Sequence, residues 1–360
     1  MLIPPGESVV ETKPCKSCGT SFVITDKDLE FYDKVSPVFN GKKESIPTPT
    51  LCPDCRQRRR LAFRNERKLY KRVSDLSGEN IVSMYSPDKT APVYTSAEWK
   101  SDEYDPRIYG RDFDFSRTFS EQFAELVAVT PRLPIFNKRG NENSAYSNYM
   151  GDARNCYLVF DSMGTEDCGY SLKVTFSRDC YDCDYVIRSE QCYGCTDSMR
   201  CYGLFESAYC SDCRDGGFLF DCINCSDCFF CKGLRNKRYC IKNTEYSPEE
   251  YARKKRELLA NGFSQIHVEF RDFCNALPSC CLIMNGSTES LGNNLDNCNN
   301  AHDCFDSFDL DDCKYCTRLH TSKDCQDYES WGQQSSLVYE SIGIGAGAHR
   351  VVFNVCGMSE

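Results

Sequence analysis

The sequence predicts a mainly β protein: an N-terminal zinc module of zinc-ribbon or treble-clef type, an α+β connector, then a cysteine-rich parallel β-solenoid interrupted by a helical insertion. Three observations carry that prediction. Two Cys-x-x-Cys pairs stand near the N-terminus, at Cys15/Cys18 and Cys52/Cys55. From residue 156 onward, cysteine phrases recur at nearly regular spacing. Helix signals are sparse beside abundant Tyr, Phe and Asx.

The 360 residues suffice for two or three domains, and 41% hydrophobic with 12% aromatic residues suit packed cores rather than disorder. Apolar runs fall well short of the roughly 20 residues a membrane span needs, which points away from a membrane partner. The start, Met1 to Pro5 followed by Gly6 and Glu7, lacks the charged and apolar regions of a secretory signal. A cytoplasmic setting is therefore expected. There, 27 Cys beside 4 His imply metal ligands and buried thiols rather than disulfides.

Cys15-Lys-Ser-Cys18-Gly19 leads into Phe22-Val-Ile24, as in a zinc knuckle, and Thr25 can cap a helix over Asp26 to Val35. After a Pro- and Gly-containing loop, Cys52-Pro-Asp-Cys55 opens a second helix. Four thiolates suit tetrahedral Zn²⁺ and leave no position for substrate, so Cys15, Cys18, Cys52 and Cys55 read as one structural zinc site.

The second helix, expected over 53–72, is basic: residues 56–72 hold nine Arg or Lys against one Glu, in a chain of net charge −10. On a helical wheel Arg56, Arg60, Arg64, Arg67 and Lys71 share a stripe about 80° wide, flanked by Phe63 and Tyr70. Such a stripe suits phosphate contacts with RNA, DNA or a ribonucleoprotein. The alternative is neutralisation by the chain's own acidic remainder, with Asp102, Glu103, Asp105, Asp112 and Asp114 as examples.

In the connector, a hairpin is expected between 79–85 and 91–95, and a helix over 116–129 with Phe119, Phe123 and Leu126 on one face. The segment's aromatics suit a local core, with stacking on bases as the alternative. From Asn155 the texture changes. Cys156, Cys180, Cys201 and Cys222 begin similar phrases, 24, 21 and 21 residues apart, which indicates stacked repeats. Asx precedes Cys at Asn155, Asp167, Asp179, Asp182, Asp212, Asp221, Asn224 and Asp227, as turns favour. Every Cys from 156 to 240 is a multiple of three residues from the others. Cys180, Cys183, Cys192 and Cys195 have the spacing of a second metal site, although a repeat alone produces it. Ser247-Pro248-Glu249-Glu250 is a capping box for a helix to about residue 260, with a second helical piece over 268–277. Cysteine phrases resume at Cys298, Cys304, Cys313, Cys316 and Cys325.

No catalytic motif stands out, so no catalytic residue is assigned and the balance leans away from an enzyme. The stretches "CPDCRQRRRLAFRNERKLY", "YGRDFDFSRTFSEQF", "NCYL" and "LRNKRYCIKNTEYSPEEY" resemble a family of cysteine-rich zinc-binding proteins of candidate-phyla bacteria with small genomes. The resemblance spans most of the chain and weakens after about residue 275. It implies zinc at Cys15, Cys18, Cys52 and Cys55 and a bacterial cytoplasmic setting, and it implies no activity. Some relatives carry an automatic CaiB/BaiF-type CoA-transferase label, a fold whose α/β repeat this sequence lacks.

The expected organisation is a zinc module with basic helix over 10–74, a connector over 75–150, a solenoid over 151–245, a helical insertion over 246–279 and further solenoid over 280–360. The expected role is a zinc-binding, non-enzymatic interaction protein. Its partners would be nucleic acid through the helix or protein through the solenoid surface. The alternatives are metal storage or thiol-redox chemistry by the solenoid Cys, and an enzyme on a β-helix scaffold.

Overall fold

A backbone rule with a period of three organises most of the chain in the computed structural model, which describes residues 3–62, 64–138, 140–260 and 262–355. Non-glycine residues with φ near +50° recur every third position, as at Asn155, Leu158 and Asp161. The residue after each turns inward and is buried: Cys156, Val159 and Ser162. Each outward residue after that pairs in parallel with the residue twelve positions on, as in Arg154–Glu166–Arg178–Glu190–Tyr202–Arg214. The multiple-of-three phase of the cysteines is this triplet. The ladder's step is twelve residues, shorter than the 21–24 residues between the similar phrases.

The eight Asx residues that precede Cys all have positive φ, between 49° and 55°. Their short polar side chains tolerate the left-handed region, which is costly for most L-residues. Asx also zips successive steps together: Asn155 Nδ2 donates to Asp167 Oδ1 at 2.9 Å, and Asn297 Nδ2 to Asp309 Oδ1 at 2.6 Å.

With one inward side chain per triplet, interior positions take small residues. Cys fills that role as a small apolar group with a weak donor. Cys180 Sγ donates to Arg178 O at 3.3 Å and Cys183 Sγ to Tyr181 O at 3.2 Å. A thiol thus fills the core and caps a carbonyl.

The chain divides into two compact units. In Asn65–Pro278, the parallel strands Asn148–Gly151, Tyr157–Met163, Gly169–Thr175, Asp184–Ile187 and Thr196–Met199 lie in sequence order. Isolated bridges carry the ladder on to Gly217–Phe220, Phe229–Lys232 and Cys240–Ile241. Ser247 then caps the helix Pro248–Leu259 through a full capping box, and Phe263–Ala276 follows. Tyr251 and Ile266 of these helices bury Phe218, Phe229, Phe230 and Ile241.

Two connector expectations are corrected here. The hairpin forms between Tyr70–Val73 and Asn80–Ser83, not between 79–85 and 91–95. Gly78, at φ +77°, helps the chain reverse between these strands. The helix is Phe119–Val129, capped by Thr118, but none of its residues is buried. Phe119 and Phe123 stack on each other, 5.4 Å apart, in the open, so they form no local core.

The second unit joins Met1–Arg64 to Ser279–Glu360. Its N-terminal part has the antiparallel pair Val9–Pro14 and Ser21–Thr25, then helices Asp26–Val35 and Pro53–Leu61. Its C-terminal part is a five-stranded parallel ladder: Met284–Asn285, Leu291–Asp296, Asn299–Lys314, Thr317–Ile344 and His349–Val352. The step here runs from 11 at Leu291↔His302 to 13 at Ser336↔His349. Among the described residues, no helix is long and apolar enough to cross a membrane.

Candidate metal centre

The first pair of thiols sits on a tight turn. Cys15 N–H donates to Thr20 O and Gly19 N–H to Cys15 O, both at 2.9 Å. Gly19 takes φ +74° to close the turn. The second pair sits at a helix start: Cys52 is the N-cap of Pro53–Leu61, with Pro53 at its first position. A backbone bond from Lys16 N–H to Thr50 O, 3.0 Å, holds the two segments together.

As a result the ligand atoms of Cys15, Cys18, Cys52 and Cys55 all lie within 4.8 Å of one another. Cys18 Sγ and Cys52 Sγ are 3.7 Å apart, close to the roughly 3.8 Å edge of a tetrahedron with 2.3 Å Zn–S bonds. Burial pushes the Cys15 thiol up, but backbone amides at Cys18, Cys52 and Ser17 outweigh it and bring the thiol down to about 6. Burial pushes Cys52 up to about 12. Four thiols so close cannot all ionise without a cation among them, and a divalent ion supplies that charge.

Cys180, Cys183, Cys192 and Cys195 make no comparable group. Among the described residues, the four N-terminal thiols are the set that brings three or more ligand atoms within such reach. The four interior thiols are buried and donate to carbonyls, Cys192 to Glu190 O and Cys195 to Tyr193 O, both at 3.5 Å.

The basic segment is divided. The helix ends at Leu61, because Asn65 starts a competing turn in which its Oδ1 accepts from Lys68 N–H at 3.1 Å. Arg67 and Lys71 are exposed beyond that turn, Lys71 on the strand Tyr70–Val73. Arg64 is half-buried, and Phe63 lies outside the described residues. The five cations therefore do not form one helical stripe.

Arg56 and Arg60 point inward. Arg56 Nε meets Asp327 Oδ2 at 2.8 Å and Arg60 Nη1 meets Asp327 Oδ1 at 3.3 Å. Asp327 is fully buried, and Arg56 also donates to Leu51 O at 2.8 Å and faces the Tyr315 ring. Arg59 pairs with Glu340. Asp105 and Asp114 instead bind locally to Arg107 and Ser116.

A second buried cluster has Lys314 Nζ at 2.9 Å from Asp28 Oδ1 and 2.6 Å from Glu7 Oε2. Asp28 meanwhile accepts from Thr25 N–H in the capping box of Asp26–Val35. Between the two clusters, Phe31 and Tyr32 pack on Tyr339 at 5.8 and 5.3 Å. The zinc module is thus seated on the C-terminal ladder. Sequence reading missed Asp327, Lys314 and Tyr339; the charge asymmetry was a signal for Asp327 alone.

Residues 11–64 match the family model described as a probable treble clef domain. No characterised protein matches the chain in sequence. Among solved structures, one from Desulfovibrio desulfuricans G20, described as an acetyltransferase, is 10% identical with a TM-score of 0.13. That match covers 58% of this chain and 65% of the other, under two thirds of its length, and a score so low carries no argument about fold or activity. Match and geometry agree on the N-terminal part: residues 11–64 form a treble-clef zinc-binding domain, with a structural zinc site at Cys15, Cys18, Cys52 and Cys55.

Proposed function

We propose that this protein is a non-enzymatic interaction scaffold, in which the parallel ladders are coils of a β-solenoid and the treble clef seats on the C-terminal one. The observation that carries this reading is the contrast between interior and surface in Asn65–Pro278. The interior thiols are buried and hydrogen-bonded to carbonyls. Burial pushes Cys201 up to about 12, and thiols so held are poor nucleophiles and poor ligands. The surface carries an open row of tyrosines: Tyr146, Tyr157, Tyr170, Tyr181 and Tyr193 are each 44–58% exposed. Rings with an apolar body and a polar tip suit a protein contact.

A protein partner is favoured over nucleic acid because Arg56 and Arg60 are occupied by Asp327. The acid Asp182 also stands at the tyrosine row, where it accepts from Tyr193 and raises its phenol.

Native mass spectrometry with a timed alkylation tests the reading. One zinc per chain is expected, with fast labelling confined to exposed thiols such as Cys280 and Cys281. Several metals, any iron, or fast labelling at Cys180 or Cys201 would replace it with metal storage or redox chemistry. Salt-sensitive RNA or DNA binding lost in Arg67→Glu/Lys71→Glu would reassign the partner to nucleic acid.

A further inference from the structure

The tyrosine row lies on the same face that the helical insertion covers further along. One line of that face runs Tyr157, Gly169, Tyr181, Tyr193, Phe205, Gly217, Phe229 and Ile241, each pairing with the next. The adjacent line runs Tyr146, Leu158, Tyr170, Asp182, Gly194, Glu206, Phe218 and Phe230 at twelve-residue steps, with positive φ from Leu158 onward. Side-chain chemistry changes along the face. The later apolar side chains, Phe218, Phe229, Phe230 and Ile241, are buried under Pro248–Leu259 and Phe263–Ala276. The earlier aromatic side chains, Tyr146, Tyr157, Tyr170, Tyr181 and Tyr193, are open. The cover stops near Phe205 and Glu206, where Phe263 meets the Phe205 ring at 5.8 Å and His267 Nε2 lies 3.8 Å from Glu206.

The same unit holds a helix that lacks such a seat. Phe119–Val129 buries none of its residues, and Phe119 and Phe123 are 65% and 51% exposed. Phe113 and Phe115, edge to face at 4.9 Å, extend this apolar surface. An amphipathic helix with exposed Phe is the kind of element that already covers the later part of the face.

We propose that the helix Phe119–Val129 of a second copy docks on the open row Tyr146, Tyr157, Tyr170, Tyr181 and Tyr193, and that two copies exchange helices reciprocally. This rests on the scaffold reading above and names its partner as the chain itself. Half-exposed aromatic rings contribute on the order of 100 Å² each, so one such contact buries roughly 500 Å² per partner. Two reciprocal contacts then exceed the about 800 Å² per partner typical of a stable interface.

Sedimentation equilibrium of the full chain across the micromolar range, with zinc bound, tests it. A dimer is expected. Phe119→Ser/Phe123→Ser and Tyr157→Ser/Tyr181→Ser should each weaken it at least about tenfold, since large aromatic anchors dominate interfaces. Both variants alter exposed side chains, so zinc content and circular dichroism should stay unchanged. Mixing them restores one intact helix-to-row contact, and the mixture should associate more tightly than either variant alone. A full chain that stays monomeric, a dimer indifferent to both variants, or a mixture no tighter than its components overturns the proposal. A single zinc and slow core thiols in the same sample would leave the scaffold reading standing.

Discussion

A backbone that returns to the left-handed region every third residue asks something unusual of ordinary side chains. Asn and Asp meet the demand readily, so their recurrence before Cys was legible as turn chemistry. The same φ is imposed on Leu158, Tyr170, Lys173 and Gln191, where nothing in the residue type announces it. There the ladder overrides intrinsic preference through its parallel bonds, such as Gln191 N–H to Arg178 O at 3.1 Å. Gln191 is exposed, at φ +54°, and so isolates the backbone effect. Gln191→Val should lower stability by about 1–2 kcal/mol, because a β-branched residue fits this region worst. Gln191→Asn and Gln191→Gly should stay level with the parent or rise slightly, since glycine's greater unfolded-state entropy offsets most of its gain. Thermal midpoints of the three variants check the order. A Val variant as stable as the parent would mean that Gln191 does not hold this conformation.

At the scale of elements, local signals were read well and long-range ones poorly. The Thr25 and Ser247 capping boxes and both Cys-x-x-Cys pairs are written within a few residues. The end of the basic helix was not read, because it depends on Asn65 choosing a turn. The seat of that helix was not read either, since Asp327 lies 271 residues from Arg56 in a stretch with many other acids. The buried pair makes a sharp test. Arg56 and Asp327 side chains are 2% and 0% exposed, so removing one partner leaves the other charged, buried and short of a bond. Arg56→Ala should reduce the opening free energy of Asp26–Val35 and Pro53–Leu61 by about 3–5 kcal/mol. Exposed Arg58 is the control, and its alanine variant should shift it by no more than about 0.5 kcal/mol. Native-state hydrogen exchange reads this unit separately, which the chain's two compact units require. Equal effects from both variants would show that the Asp327 contact is not what seats the helix.

For the molecule as a whole, the zinc site and the ladder of Asn65–Pro278 answer different perturbations. The ladder is held by hydrogen bonds and small buried side chains, none of which needs a metal. The treble clef's core is small, Phe22, Ile24, Phe31, Tyr32 and Val35 beside the thiols, and Zn²⁺ would hold its two Cys segments together. The sign of the pH response follows from Cys15, whose folded-state pKa is lowered from 9.0 to about 6. A depressed pKa means the folded state favours the thiolate. In the metal-free site that contribution is complete above the unfolded value and is lost as pH falls through about 6; bound zinc moves the competition with protons to lower pH. Zinc should therefore stay bound at neutral pH and leave on acidification, read as uptake by a colorimetric chelator. Hydrogen-exchange protection should fall in the same range for Val9–Pro14, Ser21–Thr25 and Pro53–Leu61. It should persist for Tyr157–Met163 and Gly169–Thr175, and the Cys52→Ser/Cys55→Ser variant should reproduce the pattern at neutral pH. Zinc retained down to about pH 4 would contradict thiolate ligation. Loss of the ladder together with the metal would show that zinc supports far more of the chain than its own module.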